Sequence, residues 1–394
     1  MADDIGSTDS GGQNVYVREL ALALADRGHR VVVFTRRSSP READRVRLAA
    51  GVEVVHVPAG PARKLPKEDL APLMGDFGDQ LALHWQEDPP DLVHAHYWMS
   101  GVAALAGARR TAIPVVTTFH ALGLERIAYH PDRNEIHRER ERERERVGSE
   151  RTVGQISGAI IALTPEEVEY LTGPNGVSPS KITVVPVGVN LERFTPDGPA
   201  AGRSNRRARL VTVGRLVERK GVKVMIEALG ELSERFDVEL VVAGGPRPRE
   251  LHADPTVRAL RAHARKHGVE TRVEFLGRIP HGQVPELLRS ADVFVCAPHY
   301  EPFGTACLEA AACGVPVVAP AVGGLREHVI DGTTGFLTPP GDVAGFGSAV
   351  AELLGDPEKR VRMGAAGAAN AIGYAWPAVT NRILATYDTL LKQG

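Results

Sequence analysis

The sequence predicts an α/β protein with two doubly wound parallel sheets, and three observations support this fold class. Strand-like apolar runs alternate with helical patterns over residues 29–171 and again over 209–338. A segment rich in Gly, Pro, Ala, Ser and Arg, at 197–209, separates the two alternations. The length of 394 residues suits two domains. We expect a first domain at 1–190, a second at 197–376, and a last helix at 377–394 that crosses back to the first domain.

The first domain should place polar residues at one edge of its sheet. Ligands of doubly wound sheets bind at the carboxyl ends of the strands, so Asn14, His96, Tyr97 and His120 are expected near that edge. Strands are predicted at 29–35, 51–58, 90–96, 113–120, 159–164 and 181–187, and helices at 18–27, 77–85, 101–110 and 165–171.

The glycine pair Gly11-Gly12 precedes a helical pattern without a strand before it. A strand normally positions such a loop. We therefore expect the first sheet to lack its central strand. The unpaired backbone edges that result should lower the stability of the chain.

Composition excludes several classes of function. The net charge is −2, which gives no general attraction to nucleic acid. No apolar run reaches the roughly 20 residues of a membrane-spanning helix, and the polar, acidic start predicts no signal peptide. The three cysteines are expected to be reduced and buried. A cytoplasmic monomer or homodimer is therefore expected.

The second domain contains a distinctive stretch, EPFGTACLEAAACG at 301–314, shortly after its predicted strand at 292–297. A helix that opens at Phe303, Gly304 and Thr305 would present free backbone N–H groups to an anion. Glu301 and Glu309 would flank that anion and suit sugar hydroxyls. The other predicted elements of this domain are strands at 209–213, 238–244, 272–277, 292–297, 315–320 and 335–338 and helices at 223–233, 256–267 and 284–290.

Two cations follow the first strand of the second domain, in the loop GRLVERKG at 214–221. Arg215 and Lys220 are five residues apart, between a strand end and the next helix. Arginine binds phosphate oxygens through its planar fork and lysine acts as a point charge, so the loop suits a phosphate group. It lacks the GxxxxGK[ST] pattern of a nucleoside-triphosphatase.

Histidines end two strands of the first domain. His120 is compatible with a buried structural histidine, but its strand-end position favours a functional role. His94 and His96 share a strand face, which would suit a metal pair, yet no third ligand accompanies them. A structural or acceptor-side role is preferred for this pair.

An alternating Arg/Glu run occupies residues 132–146. One interpretation is a solvated helix or a mobile loop. The other is that one of its arginines reaches an anionic acceptor.

These motifs together resemble the retaining glycosyltransferases of family 4, which have the GT-B fold of two Rossmann-like domains facing across a cleft. The resemblance spans almost the whole chain, and the E-x7-E and R-x4-K motifs make it specific. Similar groups are the actinobacterial D-inositol-3-phosphate glycosyltransferases and the sucrose-phosphate synthases. The matching segments are GGQNVYV, HAHYW, TTFHALG, VVPVGVNLERFTP, GRLVERKG, VVAGG, FLGRIP, ADVFVCAPHYEPFGTACLEAAACGVPVVA and VGGLREHVIDGTTGFL.

The resemblance implies roles for the residues that bind the donor. Arg215 and Lys220 would neutralise the nucleotide diphosphate, in place of a metal ion. Glu309 would bind the ribose, and Glu301 with the backbone at Phe303, Gly304 and Thr305 would hold the sugar and a phosphate. The backbone at Arg278 and Ile279 would meet the base, and the loop at Gly12 would close over the diphosphate.

The resemblance also implies catalytic and acceptor-side residues. His120, Glu301, Arg215 and Lys220 would be catalytic, with His120 near the reacting carbon. Asn14, Lys67 and Tyr97 match positions that contact a phosphorylated acceptor. Ala121 stands where the inositol-phosphate enzymes have threonine.

The expected function is transfer of a hexosyl group from a nucleotide sugar, with a UDP-sugar as donor, to a small polar or sugar-phosphate acceptor. The alternatives are a sucrose-phosphate-synthase-like enzyme and a truncated, non-catalytic sugar-nucleotide-binding protein. No cofactor or metal is expected. A nicotinamide dehydrogenase is disfavoured because no G-x-G-x-x-G opens a helix.

Overall fold

The computed structural model describes residues 12–109, 111–129, 136–203 and 206–392, so Gly11 lies outside the described residues. They form two compact units, each with parallel strands and flanking helices. The C-terminal unit is Val187–Ala375 together with the described residues before Tyr16. The N-terminal unit is Tyr16–Pro186 together with the chain from Trp376 onward. The predicted two-domain α/β class is confirmed.

The described residues contain thirteen strands and fourteen α-helices, connected by loops and short 3-10 helices. The strands are β1 (Val31–Arg36), β2 (Arg45–Ala49), β3 (Val52–Val57), β4 (Val93–His96), β5 (Val115–Thr118), β6 (Ala159–Ala162), β7 (Ile182–Val184), β8 (Ala208–Val213), β9 (Val238–Ala243), β10 (Val273–Gly277), β11 (Val293–Val295), β12 (Val317–Pro320) and β13 (Gly335–Thr338). The helices are α1 (Gly12–Ala25), α2 (Met74–Glu87), α3 (Trp98–Ala108), α4 (Gly123–Ala128), α5 (Ile136–Ile156), α6 (Pro165–Thr172), α7 (Val222–Leu232), α8 (Pro255–Lys266), α9 (Val284–Arg289), α10 (Thr305–Ala312), α11 (Leu325–His328), α12 (Val343–Gly355), α13 (Pro357–Ala371) and α14 (Trp376–Leu391).

The N-terminal unit contains two separate sheets. One has the strand order β1-β3-β2 and the other the order β4-β5-β6-β7. Among the described residues no ladder of hydrogen bonds joins the two sheets, so β1 and β4 are edge strands with one partner each. Residues 1–11 lie outside the described residues, so the expectation that the first sheet lacks a central strand stays a prediction. Strand β2 pairs with β3 in the antiparallel sense, which the sequence patterns did not predict.

The C-terminal unit is built on one parallel sheet of six strands, in the order β10-β9-β8-β11-β12-β13. All six residues of β9 are buried, as expected for a strand covered by helices on both faces. The strand order reverses between β8 and β11, which are neighbours in the sheet but distant in sequence. In open parallel sheets the carboxyl ends of the strands at such a reversal form a crevice, and this position defines the candidate site.

Two helices near the end of the C-terminal unit, α12 and α13, were not predicted. Each begins at an aspartate whose side chain accepts a hydrogen bond from a backbone N–H: Asp342 from Gly345 at 2.9 Å and Asp356 from Lys359 at 2.9 Å. Proline follows Asp356 at the first helical position. This aspartate–proline pair is a known helix-start signal that the sequence reasoning missed.

None of the described helices has the length and apolar composition that a membrane span requires.

Candidate functional site

A pocket lies in the C-terminal unit at the carboxyl ends of β8 and β11. Residues directly after both strands, Gly214 and Cys296, line its wall. The pocket unites most residues predicted to bind a donor. They are Gly12, Arg215, Lys220, Glu301, Phe303, Gly304, Thr305 and Glu309.

Lys220 and Glu301 form an ion pair in this pocket, although they are 81 positions apart in sequence. The Glu301 side chain is only 13% exposed. Burial alone would raise the pKa of Glu301, but Lys220, Arg219 and the backbone N–H of Gly304 outweigh burial and lower it. Glu301 is therefore an anion held between cations, which does not suit a proton donor.

Arg219 is a third cation of the pocket that sequence reasoning missed. Its guanidinium donates a hydrogen bond of 3.0 Å to the backbone oxygen of Tyr300, beside Glu301. Burial, followed by repulsion from Arg219, lowers the pKa of Arg215, whereas Glu301 raises it. Three cations, Arg215, Arg219 and Lys220, thus surround one buried carboxylate and leave a local excess of positive charge.

The turn before α10 is fixed by backbone contacts. Gly304 has φ 66°, a left-handed conformation that glycine adopts without strain, and a Cβ there would approach a carbon of His328 to 2.9 Å. His328 Nε2 lies 2.7 Å from the backbone oxygen of Phe303. Burial lowers the pKa of His328 to about 4, so the ring is neutral and Nε2–H donates this bond. His328 therefore holds the turn that presents the N–H groups of α10.

Glu309 lies inside α10 and is 8% exposed. Its Oε1 lies 3.3 Å from His281 Nε2, and Arg193 Nη1 lies 2.7 Å from His281 Nδ1. Because arginine only donates, Nδ1 accepts and the ring proton is on Nε2, which donates to Glu309. His281 and Arg193 thus orient the Glu309 carboxylate. Neither was predicted, because no local motif connects them to Glu309.

Arg278 and Ile279 directly follow β10, and the backbone N–H of Arg278 donates to the oxygen of Pro246 at 2.8 Å. Neither is among the described residues that line the pocket. Their predicted contact with a base stays a prediction. Gly12 belongs to the same unit as the pocket, and a Cβ there would lie 3.6 Å from the Phe303 ring.

In the N-terminal unit, Tyr97 directly follows β4, and His120 is the second residue after the neighbouring parallel strand β5. Both have positive φ, 82° for Tyr97 and 65° for His120, and they are the only described non-glycine residues with this conformation. Such strain concentrates at functional sites. His96 Nδ1 lies 3.0 Å from His120 Nε2, and Tyr16 packs edge-on against both rings.

Three buried histidines of this unit, His94, His96 and His120, are held neutral because burial lowers the pKa of each. Burial lowers the pKa of His96 to about 3, and burial followed by repulsion from His96 lowers the pKa of His120 well below its usual range. His94 bonds Tyr387 through Nδ1 at 2.6 Å and Thr118 through Nε2 at 2.8 Å. Both nitrogens of His94 are therefore occupied by structural partners, which fits the preferred structural role.

Two cations flank the ring of Tyr97. Lys67 Nζ lies 3.9 Å from the ring centroid, and the guanidinium carbon of Arg146 lies 5.2 Å from it. The structure thus brings together two residues predicted to bind an acceptor, Lys67 and Tyr97, and adds Arg146. Asn14 lies in the first turn of α1 and belongs to the other unit, so its acceptor role stays a prediction.

Arg146 comes from the alternating Arg/Glu run, whose preferred interpretation was a solvated helix. The described part of the run, from residue 136 onward, lies in α5, but Arg146 is only 6% exposed. It bonds Glu150 at 2.7 Å and the backbone oxygen of Ala121, next to His120. Burial would lower the pKa of Arg146, but Glu150, Tyr97 and Glu143 outweigh it and raise the pKa. Arg146 also pairs with Glu143 at 3.0 Å, so the interpretation that an arginine of the run reaches an anionic acceptor stays a prediction.

Comparison with known proteins places the chain in a family. The family model for glycosyl transferases group 1 matches residues 198–370, and the model for Glycosyltransferase Family 4 matches residues 10–193. A D-inositol 3-phosphate glycosyltransferase of Xylanimonas cellulosilytica is 37% identical over 407 residues, which cover 99% of this chain and 94% of the relative. The chain is a glycosyltransferase of the family 4 type. A D-inositol 3-phosphate glycosyltransferase of Kribbella flavida is 36% identical and covers 98% of the chain and 92% of that relative.

Solved structures show that this glycosyltransferase has the GT-B fold. The sucrose-phosphate synthase of Thermosynechococcus elongatus has a TM-score of 0.88 and 28% identity, and covers 100% of this chain and 97% of that one. The Anabaena protein HepE in complex with UDP-glucose has a TM-score of 0.73 and 20% identity, with 98% of each chain covered, and supports the fold alone.

Proposed function

We propose that this glycosyltransferase transfers a hexosyl group from a UDP-sugar to a small phosphorylated acceptor, with retention of the anomeric configuration. The observation that carries the proposal is the pocket with Arg215, Arg219 and Lys220 around the buried carboxylate of Glu301. A nucleotide diphosphate supplies the negative charge that three cations can bind, and the sugar supplies hydroxyl groups for a carboxylate.

The proposed roles of the pocket residues follow from their contacts. Arg215 and Lys220 bind the diphosphate, and Lys220 is then shared between a phosphate oxygen and Glu301. The turn at Gly304 directs the N–H groups at the start of α10 to the same phosphate. Glu309, oriented by His281, accepts hydrogen bonds from the ribose hydroxyls.

The proposed reaction needs no nucleophile from the protein. The bond between the anomeric carbon and the phosphate oxygen breaks while an acceptor hydroxyl attacks the same face of the sugar. The departing diphosphate accepts the hydroxyl proton, and Arg215 and Lys220 stabilise the charge that develops on it. Glu301 is held as an anion by Lys220, which suits a sugar contact better than a general acid.

A phosphorylated acceptor is supported by the cations of the N-terminal unit. Lys67 and Arg146 flank the ring of Tyr97, and Arg146 also bonds the oxygen of Ala121, next to His120. Relatives named above carry a phosphorylated compound in their names, D-inositol 3-phosphate in one group and sucrose phosphate in the other. The neutral ring of His120 is proposed to hydrogen-bond a substrate hydroxyl.

The proposal is tested by a screen of nucleoside diphosphate release. UDP-, GDP- and ADP-sugars are each incubated with D-inositol 3-phosphate, hexose phosphates, or the same compounds without phosphate. Release of UDP that depends on a phosphorylated acceptor is expected. A hexose phosphate as the best acceptor would favour the sucrose-phosphate-synthase-like alternative, and UDP binding without release under any condition would favour the non-catalytic one.

A further inference from the structure

Three half-buried side chains converge where α7 packs beside α8 in the C-terminal unit: Glu227, His263 and His267. Each offers one ligand atom, and these atoms lie within 4.8 Å of one another. His263 Nε2 lies 2.8 Å from Glu227 Oε1, and the rings of His263 and His267 are 4.7 Å apart at their centroids. None of the three lines the pocket described above.

The helical geometry holds this cluster in place. His263 and His267 are four residues apart, so they lie on one face at the end of α8, and the backbone N–H of His267 donates to the oxygen of His263 at 3.2 Å. Gly230 on α7 packs against His267, since a Cβ built at Gly230 would be in ordinary van der Waals contact, at 3.5 Å, with the Cβ of His267. Glu227 reaches the cluster from the neighbouring helix.

We propose that Glu227, His263 and His267 bind a divalent transition-metal ion such as Zn²⁺. Two imidazole nitrogens and one carboxylate oxygen are a donor set that Zn²⁺, Co²⁺ and Ni²⁺ accept, whereas Mg²⁺ and Ca²⁺ prefer oxygen ligands. Ligands about 2.1 Å from a tetrahedral zinc ion are roughly 3.4 Å apart, so small side-chain rotations close the cluster onto an ion. The carboxyl end of α8 also carries the partial negative charge that favours a cation.

A metal ion at this site would join α7 to α8 and leave one coordination position for water. Because α7 follows the loop with Arg215 and Lys220, the ion would stabilise the unit that contains the donor pocket. The site lies outside that pocket, so an effect of Zn²⁺ on stability is expected even where catalysis proceeds without metal. This inference goes beyond the proposed function and does not depend on it.

The test is metal binding to the full chain after treatment with a chelator. Zn²⁺ titration should show one site per chain, and Co²⁺ should give the visible absorption of a protein-bound ion. Zn²⁺ should raise the melting temperature, and Mg²⁺ should not. Glu227→Gln and His267→Gln should each weaken Zn²⁺ binding by at least about tenfold, as expected for lost ligands.

Matched controls keep the outcome interpretable. Glu231→Gln changes an exposed glutamate one turn further along α7, and His252→Gln changes a histidine outside the cluster; both should bind Zn²⁺ as the parent chain does. The melting temperature in chelator should be the same for all variants, and this would show that the ligand variants are folded. Unchanged Zn²⁺ affinity in both ligand variants, or no binding by the parent chain, would overturn the proposal. A ligand variant that unfolds in chelator is replaced by His263→Gln, judged by the same criterion.

Discussion

Lys220 and Glu301 form an ion pair between a loop after β8 and the turn before α10. The pair links the R-x4-K loop to the E-x7-E stretch, which are separate motifs in the sequence. The cation proposed to bind a diphosphate and the carboxylate proposed to bind a sugar are thereby held in contact inside one pocket.

Lys220→Ala should lower kcat/KM for the nucleotide sugar by roughly 10²-fold, because a lost anion-stabilising donor costs about 3 kcal/mol. Lys223→Ala is the matched control, since Lys223 is an exposed lysine of α7 that does not line the pocket. Initial rates of nucleoside diphosphate release measure the effect. Equal rates for the two variants would show that Lys220 has no role in the reaction.

Glu309→Gln should weaken UDP binding more than it lowers the melting temperature. The carboxylate accepts a hydrogen bond from His281 and is proposed to accept others from ribose, and an amide is a weaker acceptor. Calorimetric titration with UDP and thermal melting provide the two readouts. Glu274→Gln, at an exposed position of β10, is the control. A variant that is destabilised yet binds UDP normally would show that Glu309 has a structural role.

Lys67→Met should raise the KM for a phosphorylated acceptor and leave the KM for the donor unchanged. The reason is that Lys67 lies beside Tyr97 in the N-terminal unit and its charge is proposed to meet the acceptor phosphate. Lys64→Met removes an equal charge three residues earlier and is the control. The difference between Lys67→Met and the parent chain should also vanish for an acceptor without phosphate. Loss of donor binding in Lys67→Met would contradict the assignment.

The stability of the N-terminal unit should fall as the pH decreases from about 6.5 toward 3. His96 has a pKa of about 3 in the folded protein, so the unfolded chain binds its proton first. Stability from this residue is therefore present above the unfolded pKa and is lost on acidification. The three tryptophans, Trp85, Trp98 and Trp376, all belong to this unit, so their fluorescence reports its unfolding alone.

His96→Gln should reduce the dependence of the unfolding free energy on pH in this range by up to one bound proton. Denaturant unfolding followed by tryptophan fluorescence at a series of pH values measures it. His29→Gln, which replaces an exposed histidine before β1, serves as the control and should keep the parent dependence. An identical pH dependence in parent chain and His96→Gln would show that His96 does not titrate as proposed.

The N-terminal unit should also melt before the C-terminal unit. Its two sheets present β1 and β4 as edges, whereas the C-terminal unit has one continuous sheet of six strands. Tryptophan fluorescence should change at a lower temperature than the main calorimetric transition. If UDP binds the pocket of the C-terminal unit, it should raise the temperature of the calorimetric transition and leave the temperature of the fluorescence transition unchanged. Coincident transitions with and without UDP would contradict this.

Sequence patterns predicted the parts of the site that are local in the chain. Arg215 and Lys220 share one loop, and Glu301 and Glu309 share one stretch, so their spacing carries the information. His281 and Arg193 orient Glu309 from distant segments, and no local spacing could connect them. Tertiary contacts alone reveal such positioning residues.

Strand β2 and the burial of Arg146 were also missed, each for a physical reason. Strand β2 (RVRLA) alternates polar and apolar residues over only five positions, a short strand signal that sequence reasoning missed, and it pairs antiparallel at a sheet edge. Over residues 138–146 every second residue is an arginine, and a helix places these arginines on two opposite sides, so the spacing does not single out one of them. Arg146 is buried because of the way α5 packs in the folded chain, which the sequence pattern alone does not show.

Stoichiometric product analysis tests whether the protein transfers a hexosyl group with retention. The full chain is incubated with UDP-glucose and a phosphorylated acceptor, UDP is quantified, and the anomeric configuration of the product is determined by NMR. We predict one UDP per glycoside formed, with the configuration of the donor retained, and strongly reduced product with Lys220→Ala. A product of inverted configuration, or hydrolysis of UDP-glucose without glycoside formation, would contradict the proposed function.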